Sequence, residues 1–141
     1  MNINKFTQKS LQAVQDCEKT AMEYGNQEIE QEHLLYALLT QDDSLILKMM
    51  EKMGLDKNLV VDRVEQAIAK RPKVQGGQPY VGQYLNKALI SAEDEMKQMG
   101  DEYVSVEHLF LALLKHPNRE ISSSSGSWAF PGRAFCRLSP Q

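Results

Sequence analysis

What is scarce in this chain narrows its character first. It holds one tryptophan and two cysteines in 141 residues. Cys17 and Cys136 fit neither a disulfide framework nor a zinc spacing. No run of 18 apolar residues occurs, so no membrane-spanning helix is expected and no membrane partner. The opening "MNINKFTQKS" lacks the apolar stretch of a secretory signal, which makes the cytoplasm the expected compartment. Positive charge is short as well: 16 Lys and Arg against 19 Asp and Glu leave a net charge of −3. That argues against a nucleic-acid partner, which wants a basic stripe. No G-x-x-x-x-G-K-[ST] is present, and the only Gly pair, Gly76-Gly77, follows no strand. The chain is therefore expected to bind no cofactor and to hydrolyse no ATP by itself.

What remains is ordinary: 42% hydrophobic and 25% charged residues, enough for one core. The character changes near residue 121. Residues 122–141, "SSSSGSWAFPGRAFCRLSPQ", have no acid, no helical or strand periodicity, and the only Trp. Without the two arginines of that stretch, residues 1–121 carry 14 basic and 19 acidic residues, a net of −5. The stretch reads as a disordered or non-native tail without assigned function.

The folded part repeats itself. Shifted by 75 residues, 6–40 matches 81–115 without a gap. The identities include Gln8/Gln83, Ala13/Ala88, Gly25/Gly100, Glu32/Glu107, His33/His108 and Leu34/Leu109. Phe6, Ala13, Val14, Cys17, Ala21 and Tyr24 form one apolar helix stripe. Val81, Ala88, Leu89, Ala92, Met96 and Met99 form its twin. Gly25 and Gly100 stand where a left-handed C-terminal cap is wanted. Next come "EHLLYALLT" and "EHLFLALLK", apolar nearly all round, which predicts a buried central helix in each copy. Ser105 is the predicted N-cap of the second. In the first copy Ser44 and Asp56 are the predicted N-caps of two more helices. The Leu59, Val60, Val64 and Ile68 side chains of the latter are expected on one face. A Pro- and Gly-rich hinge, 71–80, follows.

The expected fold is therefore all-α: a pseudo-two-fold bundle of two helical repeats. Repeat one spans 1–70, and repeat two, expected to be truncated, spans 81–121. A helix apolar on most sides cannot stand alone in water, and two can cover each other.

At these residues a family resemblance becomes legible. "FTQKSLQAVQDCEKTAMEYGNQEIEQEHLLYALLTQ", "RPKVQGGQPYVGQYLNKAL" and "GDEYVSVEHLFLALL" resemble the amino-terminal domain of the Clp family of ATP-dependent chaperones, most of all its ClpB disaggregase branch. The resemblance implies a binding module for unfolded or aggregated polypeptide, or for adaptor or co-chaperone proteins. It implies a parent homohexamer that uses ATP and magnesium through modules this chain lacks. It points to Thr7, Asp101 and Glu107 as substrate-binding residues, with Tyr80, Val81, Tyr84 and Leu85 as an apolar wall. The same duplicated domain occurs in ClpC and ClpA unfoldases, and a free-standing adaptor for one defined partner is an alternative.

Each of these residues also has a plainer role. Thr7 can cap the first helix, Asp101 can complete a turn, and Glu107 can serve the helix dipole. His33 and His108 invite a metal or acid–base reading, but "EHLL" lacks the second ligand of H-E-x-x-H. Packing at a helix start with a hydrogen bond to the backbone is the favoured reading, and no metal or catalytic residue is assigned. Cys17 and the methionines Met49, Met50, Met53, Met96 and Met99 read as core.

Overall fold

The computed structural model describes residues 3–121; the predicted tail, 122–141, lies outside them. A 3₁₀ turn, Ile3–Lys5, leads into α1 (Gln8–Glu23), the short strand β1 (Glu28–Ile29) and α2 (Gln31–Thr40). Two further helices, α3 (Leu45–Lys52) and α4 (Lys57–Ala69), complete the first half. Then come β2 (Tyr80–Val81), α5 (Gln83–Gln98) and α6 (Val106–Lys115).

The punctuation read from the sequence sets these boundaries. Ser44 accepts from Leu47 N–H, and Asp56 accepts from Asn58 and Leu59 N–H. Gly25 and Gly100 both have positive φ, 72° and 73°. At each, the chain reverses in the same two-bond motif. Gly25 and Asn26 donate to Met22 and Ala21 carbonyls, and Gly100 and Asp101 donate to Lys97 and Met96 carbonyls.

The core is built around α2 and α6. Leu34, Leu35, Leu38, Leu39, Leu109, Phe110 and Leu113 are all essentially inaccessible to water. Each central helix packs on the long helix of its own copy, α1 on α2 and α5 on α6. The copies also exchange contacts, α2 with α6, α1 with α6, and α2 with α5. This is the pseudo-two-fold bundle expected from the repeat. Met49, Met50, Met96 and Cys17 are buried in it, and burial pushes the Cys17 thiol far up.

Two expectations about the stripes change. Leu59 is exposed; the buried face of α4 is Val60, Val64, Ala67 and Ile68. At about 100° per residue, Leu59 falls roughly 125° from the centre of that face. Val81, the counterpart of the buried Phe6, is exposed as well.

The short strands show the symmetry most directly. β1 pairs in parallel with β2, Ile29 opposite Val81. The isolated bridge Phe6–Val104 is also parallel. Subtracting 75 from Val81 gives Phe6, and adding 75 to Ile29 gives Val104. Each copy's entry into its long helix is therefore stitched to the other copy's entry into its central helix.

The Pro- and Gly-rich stretch is held down along its length. Val74 N–H donates to Gly25 O, Asn26 Nδ2 donates to Pro72 O, and Tyr80 N–H donates to Gln27 O. Beyond α6, Asn118 Oδ1 accepts from Ile121 N–H as a helical turn begins at 119.

Candidate functional site

Two corners of the molecule carry the residues the sequence singled out. Gln31 Nε2, at the start of α2, donates to His116 O just past the end of α6. The central helices therefore run antiparallel. The start of α6 lies about one ten-residue helix away, roughly 15 Å.

The first corner joins the starts of α1 and α6. Thr7 is the N-cap of α1: its Oγ1 accepts from Ser10 N–H, and its own N–H donates to Val104 O. Ser10 Oγ donates to Val104 O at 2.6 Å. Ser105, the N-cap of α6, donates its N–H to His108 Nδ1 at 2.8 Å. The other ring nitrogen, Nε2, is then the protonated one, and it faces Asp101 Oδ2 at 2.8 Å. Glu107 stands in the first turn of the same helix. Thr7, Asp101 and Glu107 are thus brought together, each also in its plainer structural role.

The second corner joins the starts of α2 and α5, and its chemistry differs. Gly82 occupies the place of Thr7 and has no side chain to cap α5. Glu30 reaches across instead. Its Oε1 accepts from Tyr84 N–H and its Oε2 from Gln31 N–H, so one carboxylate serves two helix starts. A Cβ built on Gly82 would lie 2.0 Å from Glu30 Oε1, so glycine is what admits it. Burial pushes the Glu30 carboxyl above its usual range, against the pull of those two N–H groups and of Arg71. His33 repeats the His108 arrangement with an amide partner: Nδ1 accepts from Glu30 N–H and Nε2 donates to Asn26 Oδ1. Burial holds the His33 pKa down at about 4.

Behind this corner lies a buried polar lattice. Arg71 Nε and Nη2 clamp the two oxygens of Glu32, which is 1% exposed, and Nη1 reaches Glu28. Asn118 Nδ2 donates to Glu32 Oε1, and Asn118 N–H donates to Gln31 Oε1. Burial alone would lower the Arg71 pKa, but the Glu32 bonds leave it raised, so it stays charged. Outside the lattice are two clefts, of about 360 and 200 Å³, which share Glu28, Arg71 and Pro72. Tyr84 lines the larger, and Tyr80 and Val74 the smaller. Tyr80, Val81 and Tyr84 are each about half exposed, 52%, 49% and 51%.

The candidate residues therefore divide between corners at opposite ends of the central helix pair, Thr7, Asp101 and Glu107 at one and Tyr80, Val81 and Tyr84 at the other. Leu85 is 2% exposed and belongs to the core, not to an apolar wall. The sequence reading missed Glu30, Arg71 and Asn118. Gly82 standing in register with the capping Thr7 was the available signal for the first. Both histidines sit at helix starts and bond the backbone. Among the described residues no three His, Cys, Asp or Glu side chains converge to hold a metal, and no helix is long and apolar enough to cross a membrane.

Fold and site together define a duplicated-repeat, all-helical domain whose surface offers clefts and exposed aromatics. The profile of the Clp repeat (R) N-terminal domain matches residues 5–124, and the chain belongs to that family. The chaperone protein ClpB of Nitratidesulfovibrio vulgaris is 40% identical over 122 residues, 83% of this chain and 14% of that protein. ClpB of Porphyromonas gingivalis is 43% identical over 114 residues, 81% of this chain and 13% of that protein. The chain thus spans about one seventh of the length of these relatives, matching their N-terminal regions. Among solved structures, the Hsp104 N-terminal domain of Candida albicans superposes with a TM-score of 0.79 at 18% identity, covering 93% of this chain and 86% of that one. A ClpV N-domain superposes at 0.70 with 23% identity, covering 89% and 80%. These two establish a shared fold.

Proposed function

We propose that this chain is the polypeptide-capturing N-terminal domain of a ClpB-like disaggregase. In this reading it binds unfolded or aggregated protein, or an adaptor segment, in the cytoplasm. It delivers that cargo to a hexameric ring whose ATP- and magnesium-dependent modules lie outside these residues. The observation that carries the reading is the rim of Tyr80, Val81 and Tyr84, three half-exposed apolar side chains beside two clefts. Large side chains left in water at a cleft mouth gain by covering a partner's apolar groups.

Thr7, Asp101 and Glu107 supply the polar contacts at the other corner. An extended segment of about five residues spans the roughly 15 Å between corners, so one unfolded chain can reach both. A ClpV N-domain of this fold was solved in complex with a VipB peptide, which supports peptide binding as a use of the scaffold. Weak affinity suits the role, because several copies on one ring act through effective concentration.

Titration of fluorescent, reduced and carboxymethylated α-lactalbumin with the chain tests the reading. Rising anisotropy is expected, with affinity lowered about tenfold, the equivalent of 1.4 kcal/mol, by Tyr80→Ala with Tyr84→Ala. Asp101→Asn should weaken binding less and leave helicity unchanged. A flat titration, or tyrosine variants that bind like the parent, would refute it.

A further inference from the structure

We infer that the second corner captures its cargo by strand addition: an extended polypeptide backbone pairs with the outer edge of β2. This rests on the reading above that the chain binds unfolded polypeptide, and it specifies how. Tyr80 N–H donates to Gln27 O at 2.9 Å and Gly82 N–H donates to Ile29 O at 2.8 Å, both toward β1. Strand groups alternate in direction, so the Val81 N–H and C=O and the Pro79 C=O turn away from β1. Among the described residues no protein group takes up the Val81 N–H. The edge therefore presents acceptor, donor, acceptor in the order an extended chain needs, with half-exposed Tyr80 and Val81 side chains on its two sides.

The pseudo-symmetric copy shows that the opening is particular to this corner. There the matching residue, Phe6, is 8% exposed, and the chain before it coils into the 3₁₀ turn Ile3–Lys5 instead of running extended. Among the described residues, one edge is closed by its own chain and the other is not. Pro79 limits the ladder, since it can accept but not donate. The occupant is therefore a short extended segment, held by one residue's paired bonds at Val81 and one more at Pro79 O. Backbone capture of this kind reads no particular side chain, as recognition of many unfolded clients requires.

The test is Val81→Pro against Val81→Ala, titrated with a fluorescent Lys-flanked peptide of alternating Val and Thr and with the unfolded α-lactalbumin. Proline removes the outward N–H and leaves both β1 bonds, because Val81 N–H is in neither. We expect Val81→Ala, which loses side-chain contact but keeps the N–H, to weaken binding a few-fold, and Val81→Pro to bind about tenfold more weakly than Val81→Ala. A peptide analogue N-methylated through its five central residues should bind the unmodified chain at least tenfold more weakly. That arm decides alone if Val81→Pro loses helicity. Equal binding by the proline and alanine variants, or by the methylated and plain peptides, overturns strand addition. If the tyrosine variants still lose affinity in that case, the capture function stands without it. If the unmodified chain binds neither probe, both readings fall. If sedimentation shows a dimer abolished by Val81→Pro while peptide affinity is unchanged, the edge serves a second copy and the inference is overturned.

Discussion

Asn26 and Asp101 occupy one position in the two copies, as do His33 and His108, yet the pairs differ by an amide against a carboxylate. His33 is wholly buried and has committed both ring nitrogens in its neutral form. A proton on Nδ1 would break its bond from Glu30 N–H. In the unfolded chain the ring titrates near 6.5, while in the fold it resists until about 4. Between these values the unfolded state binds more protons, so this contribution is complete above pH 6.5 and is lost as pH falls toward 4. The shift corresponds to about 3 kcal/mol. Urea midpoints of the parent and of His33→Gln, compared between pH 7 and 4, should show the parent falling by that much more. Asn26→Asp should raise the His33 pKa, read from its imidazole proton shifts, because the carboxylate favours the charged ring.

At the scale of elements, helix starts decide how the copies join. Thr7 caps its own helix, so Thr7→Ala should cost about 1 kcal/mol. Glu30 caps two helices from a buried position, and Glu30→Ala should cost about 2–3 kcal/mol in denaturant unfolding. Gly82→Ala should destabilise although its backbone is unstrained, because the new Cβ displaces the Glu30 carboxylate. Equal losses for Thr7→Ala and Glu30→Ala would contradict the double cap.

These elements also show what the sequence made legible. Ser44, Asp56, Gly25 and Gly100 act within a few residues of themselves, and the doubled apolar phrase marks α2 and α6 as buried. Glu30 and Arg71 act over 54 and 39 residues. No local pattern announces a carboxylate that caps a helix of the other copy. Leu59 was misplaced for a related reason: an apolar residue beside a stripe is read into it until the neighbouring helix fixes where the stripe points. Sequence shows no distance, and the antiparallel central pair puts the polar candidates and their apolar wall at two ends.

Over the whole molecule, the lattice of Glu32, Arg71, Gln31 and Asn118 ties the start of α2, the end of α6 and the Pro-rich stretch into one body. Arg71→Ala leaves the buried Glu32 carboxylate with Asn118 alone and should cost about 3 kcal/mol. Lys48→Ala breaks only the exposed pair with Asp43 and should change stability by less than about 0.5 kcal/mol. Comparable losses in thermal unfolding would mean that the lattice is not what fastens the copies.

Among the described residues the body so fastened has one edge closed and one open, and the proposed capture at the open one is the claim on which the functional account turns. Amide hydrogen exchange, resolved by residue, with and without unfolded α-lactalbumin, tests it most directly. The account predicts that the Val81 amide exchanges fast in the free chain and slows strongly on binding, together with its neighbours in 79–84. Protection confined to Thr7 and 101–107, with Val81 unchanged, would contradict it.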